Sequence, residues 1–239
     1  KSLKVMPTIT IGTASGEIDN SIQSAQELQK ALDKGGEIKL TQSLDLDQDI
    51  TVKGSSSLNL NGMNLNLGDH TIMVEENGTL LLSNNAEAVT KTQSSNGSIA
   101  GNGDIITAGS GAEITIEEGV ALSSAGNCCI FIPSGAENVT VNTAGQLSTN
   151  DSDYATIYVN GNVKSATINI NGGSVTNNVN TAIYAAGKTD LTISGNPYIS
   201  GTSSVEIRAG KLVVNSGTFD STGEFAVTEN GNGSTTSGV

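Results

Sequence analysis

The chain has 239 residues, of which 36% are hydrophobic, 3% aromatic and none Trp, with 29 Gly, too little bulk for a thick globular core. A formal net charge of -13, with 11 Lys and Arg against 24 Asp and Glu, leaves no basic stripe to neutralise phosphates and argues against nucleic-acid and anionic-membrane partners. No apolar run approaches the roughly 20 residues that cross a bilayer, and the first residues carry no charged-then-apolar leader. A single elongated, monomeric domain with a narrow core of Val, Ile, Leu and Ala suits this composition.

Residues 1–23 read as a lead-in segment, in which Thr8-Ile9-Thr10-Ile11 alternates before Gly12 and Gly16 interrupt it. Residues 24–36 predict an amphipathic helix. Ser24 and Glu27 form a capping box, Ala25, Leu28 and Leu32 share one face, and Gly35-Gly36 stops the run. A helix at this place plugs the end of a strand array, whose first turn otherwise exposes apolar side chains and an unpaired edge.

Over residues 37–228 the apolar period changes to two. Ile38/Leu40, Leu44/Leu46, Ile50/Val52, Leu58/Leu60, Leu65/Leu67, Ile72/Val74, Leu80/Leu82, Ile114/Ile116, Val139/Val141 and Ile168/Ile170 are pairs separated by Gly, Asn, Asp or Ser turns. Strands this short need company to bury a face. Later units repeat openly: the segments at Asn138, Ala166, Asp190 and Lys211 are one element, followed by a strand holding Leu147, Val175, Ile199 or Phe219. A third piece, at Thr156, Ala182, Val205 or Phe225, closes each unit. Three strands per turn with unequal loops predict a right-handed parallel β-helix of roughly eight or nine coils. Residues 229–239 read as a flexible Gly, Ser, Thr and Asn tail.

The runs Gly35 to Leu40, Leu58 to Leu65, Val74 to Leu82 and Ile170 to Asn177 resemble the pectate-lyase-like β-helix repeats of bacterial cell-surface proteins, particularly adhesin-like ones. That resemblance spans about residues 25 to 228 and implies a secreted, surface-exposed module. The function expected from it is non-catalytic: an adhesive or spacing element that binds a glycan or a host or partner surface protein. The rival from another class is a polysaccharide lyase or glycoside hydrolase on the same fold.

Reactive groups are sparse. A lyase needs a strong base with cationic company, and the chain has a single arginine, Arg208, between Glu206 and small residues. A hydrolase needs converging carboxylates; Asp151 and Asp153 are the nearest pair, in a stretch whose Asn, Asp and Ser also make an ordinary turn. His70, the only histidine, stands at a turn beside Asp69. Asp45, Asp47 and Asp49 alternate with leucines and share an outward face, which is either an acidic solvated edge or a set of oxygen ligands for Ca²⁺. No other cofactor is implied. Gly101 to Asp104 reads as a Gly-rich turn, and the many asparagines suit hydrogen-bonded ladders between coils. The adjacent Cys128 and Cys129 are poorly placed to bridge each other and are expected as one buried and one surface thiol.

The sharpest candidate is aromatic. Phe131, Tyr158 and Tyr184 occupy the same position in successive third strands, between inward aliphatics, so they face outward as a stripe. Such a stripe is either a platform for sugars or a partner protein, or a ladder that stabilises itself.

Overall fold

A computed structural model describes residues 22–85, 96–223 and 227–229, the last three by backbone alone. Thr8 to Ile11, Phe225 and the tail past Glu229 lie outside the described residues.

The period-two pairs become short strands with one buried face, as in Ile50–Val52, Ile72–Val74 and Ile130–Ile132, where the middle residue points out. The first turn shows the unit: β1 (Gly36–Lys39), β2 (Leu44–Asp45) and β3 (Ile50–Val52). Each pairs in parallel with its counterpart one turn on, respectively Ser55–Asn59, Asn64–Gly68 and Ile72–Val74. Repetition of this step builds an all-β parallel solenoid of about 7 turns with three faces, consistent with a right-handed β-helix. The faces that begin with β1 and β3 merge into one 14-stranded sheet, because Ile183–Ile193 runs round the corner between them; the face of β2 remains a separate 8-stranded sheet.

The core is a thin column of stacked identical positions. On the third face Ile50, Ile72, Ile106, Ile130, Ile157 and Ile183 lie in register, all of them buried. Leu65, Ile99, Leu122, Leu147, Val175 and Ile199 do the same on the second. Each such side chain contributes about 1.5–3 kcal/mol by leaving water. Coil length varies: partners one turn apart are separated by 20 residues at Asn196 and Ser216 and by 34 at Asn64 and Ser98.

Helix α1 (Ala25–Lys34) buries Ala25, Leu28 and Leu32 against the start of the column. Ser24 accepts from the Glu27 amide, and the Glu27 carboxylate accepts from the amide of Gln23, one residue before the cap. Gly35 ends the helix at φ 70° and donates its N–H to Leu32 O. Gln29 then closes the strand edge. Its Nε2 donates to Thr51 O at 2.9 Å while the Thr51 amide donates to its Oε1 at 2.8 Å, so a side-chain amide replaces the missing neighbouring strand. Among the described residues no helix is long and apolar enough to cross a membrane.

Two expectations about side chains change. Cys128 and Cys129 are both fully buried and free, because they stand in the turn before Ile130–Ile132, where strand alternation does not apply. Burial, and after it the Asp104 carboxylate, pushes the Cys128 thiol up; burial pushes Cys129 up to about 12. An asparagine ladder forms between Asn169 and Asn142 at 2.9 Å. Most other amides instead serve backbone groups, as when Asn59 Oδ1 accepts from the amides of Asn61 and Asn85.

Candidate functional site

The outward column of the third face runs through Thr107, Phe131, Tyr158, Tyr184 and Glu206, one residue per turn. The strand spacing of about 4.8 Å makes the rings neighbours, and they turn towards one another. Tyr158 and Tyr184 stack with centroids 5.2 Å apart and planes at 29°, and Phe131 meets Tyr158 at 5.9 Å and 48°. Beyond Tyr184 the guanidinium of Arg208 lies 5.0 Å from the ring centroid. Arg208 donates from Nε (3.1 Å) and pairs through Nη2 (3.0 Å) with the same oxygen, Glu206 Oε1. Desolvation raises the Tyr184 phenol above its ordinary value, against the opposing pull of Arg208.

The stripe therefore exists in the register that the repeats predict, and its ring faces are largely occupied by each other. The rest of the site comes from the corner between the second and third faces. There the Asn177 side chain, 1% exposed, organises two loops. Its Nδ2 donates to Asp151 O and Tyr154 O, and its Oδ1 accepts from the amides of Val179 and Asn180. Asp151 Oδ1 accepts from the amides of Asp153 and Tyr154, and Asn180 Nδ2 donates to Ser152 O. Held in this way, Tyr154 packs edge-on against Tyr158 at 5.7 Å and 67° and is still 40% exposed.

Between this corner and the ladder lies a pocket of about 180 Å³ lined by Asp153, Ala155, Thr181, Asn180, Tyr158, Tyr184 and Glu206. Two of the expected stripe residues, Tyr158 and Tyr184, form part of it; Phe131 does not. Glu206 was legible in advance, since Val205-Glu206-Ile207 aligns with Ile183-Tyr184-Ala185 in the repeat. Tyr154, Asn180 and Thr181 carried no such signal, because loop sequences vary between turns. Asp151, paired with Asp153 in the sequence, caps its own loop and is not among the pocket's residues.

The other candidates stand apart. Asp45 Oδ1 accepts from Asn66 Nδ2 at 2.9 Å, and Asp49 Oδ1 accepts from the Thr71 amide and lies 3.3 Å from His70 Nδ1. Asp47 is exposed. Among the described residues no group of three or more His, Cys, Asp or Glu side chains is placed to hold a metal ion. In the Gly101 to Asp104 turn, Asn102 donates to Asp69 and Asp104 accepts from the Cys128 amide. No family model, curated protein or solved structure matches the chain.

Proposed function

We propose that this solenoid is a non-catalytic extracellular module, displayed at a bacterial cell surface, that binds glycan through the corner of its second and third faces. The observation that carries the reading is the pocket of Asp153, Thr181, Tyr158, Tyr184 and Glu206, flanked by the exposed Tyr154 ring. Small concave sites with a few fixed polar groups among apolar walls are where small ligands bind. Tyr154 offers the apolar area and the pocket offers hydroxyl and carboxylate groups, the pairing that sugar rings require. The rigid, narrow column behind it supports the spacer role, and the repeat resemblance supports surface display.

A glycan and matrix-protein binding screen, run with and without Ca²⁺, tests this. Saturable glycan binding that Tyr154→Ala weakens at least ten-fold is the expected result; an empty glycan screen removes the reading. One observation favours the hydrolase alternative, namely that Asp153 and Glu206 share the pocket. Against it, Glu206 Oε1 is engaged by Arg208. New reducing ends or unsaturated products on incubation with polygalacturonate, alginate or host glycans would select the enzyme instead.

A further inference from the structure

The geometry points to a specific ligand class for this pocket: a single uncharged sugar ring whose hydroxyl groups meet Thr181, Asp153 and Glu206. This inference rests on the glycan-binding reading above.

Thr181 provides the independent sign of a ligand. It lines the pocket, it is only 7% exposed, and its hydroxyl has no hydrogen-bond partner among the described residues; its backbone amide donates to Asn180 Oδ1. Buried hydroxyls are nearly always paired, with protein, water or ligand. Around Thr181 the exposed Asp153 carboxylate and the partly exposed phenol groups of Tyr158 and Tyr184 line the same pocket and make no side-chain hydrogen bond among the described residues. The lining therefore combines a carboxylate acceptor with hydroxyls that both donate and accept, which complements a polyol.

Charge narrows the class. Two carboxylates face the pocket, and the guanidinium beside them is already bound to Glu206. An anionic sugar would add a third negative charge with no free cation to receive it. A cation would meet one unpaired carboxylate, Asp153, which is exposed and therefore holds it weakly, since Glu206 is already neutralised by Arg208; the ring faces that would hold a quaternary ammonium are taken, as Tyr158 and Tyr184 face each other and Tyr184 carries Arg208. Size narrows it further. At about 180 Å³ the space is below the roughly 300–1,000 Å³ of drug-sized sites, which suits one ring and not a chain of them.

The test is a titration of the full chain, by calorimetry or saturation-transfer NMR, with methyl glycosides of neutral hexoses, the corresponding methyl uronides, and choline as a cation. Saturable binding of a neutral glycoside is expected, with the uronide and choline at least ten-fold weaker. Thr181→Val should reduce the affinity about ten-fold while leaving the melting temperature unchanged or higher, because it removes an unpaired buried hydroxyl. Thr181→Ser should restore binding, and Asp153→Asn should weaken it. Stronger uronide or choline binding, or full affinity in Thr181→Val, overturns the assignment while leaving glycan binding in place; no binding to any glycoside or glycan overturns both.

Discussion

Arg208 lies over Tyr184 with its Cζ 5.0 Å from the ring centroid, and the same guanidinium holds Glu206 Oε1 at 3.0 Å. One side chain thus ends the aromatic stack and positions a carboxylate at the pocket. The contact contributes about 0.5–1 kcal/mol as a cation–π pair, and the half-exposed ion pair about 0–1 kcal/mol more. Arg208→Ala should lower unfolding free energy by about 0.5–2 kcal/mol in urea melts. Arg208→Lys should recover only part of that loss, because an ammonium neither stacks flat nor donates from two nitrogens.

Tyr158 and Tyr184, at 5.2 Å and 29°, should behave as a coupled unit. A double-mutant cycle with alanine at both positions should return about 0.5–1.5 kcal/mol of interaction energy. Additive losses would mean that the rings do not support each other.

Asn177 makes side-chain hydrogen bonds to Asp151 O, Tyr154 O and the amides of Val179 and Asn180. Asn177→Ala strands these groups at a buried corner, at about 1–3 kcal/mol for each one left unpaired. Asn177→Asp keeps the acceptor and loses the donor, so it should fall between alanine and the native residue. Amide hydrogen exchange over residues 151–156 and 178–181 should accelerate in both variants, more in the alanine. Unchanged exchange there would show that the loops hold themselves.

The thiols should be silent in the folded protein. Burial raises Cys129 from its ordinary 9.0 to about 12, and Cys128 is raised as well, so neither is a thiolate near neutrality. A disulfide-exchange reagent at pH 8 should label neither until denaturant is added. The folded state holds these protons more tightly than the unfolded chain does. Their contribution to stability is therefore complete below about pH 9 and declines as pH rises from there through about 12. Denaturation midpoints measured across that range, for the native chain and for Cys129→Ala, give the check: the decline should be shallower in the variant.

Much of this architecture could be read from residue order alone. The period-two aliphatics, the Ser24 and Glu27 helix start and the repeat alignment of Phe131, Tyr158 and Tyr184 rest on rules that act between sequence neighbours or equivalent positions, and they reappear as strands, helix and column. Alternation did not extend to Cys128 and Cys129, because the chain leaves strand geometry at that turn and both side chains find interior space. It also showed which way the rings point without showing what lies against their faces.

What only the folded chain decided is which groups meet across turns. Thr181 and Glu206, from successive coils, share a pocket with Asp153 because coiling brings residues more than 20 positions apart to the spacing of adjacent strands. Coil length, loop path and the single amide of Asn177 set that convergence. No local periodicity encodes it, since the loops answer to packing at the corner, whereas the strands answer to the alternation of inside and outside along the backbone.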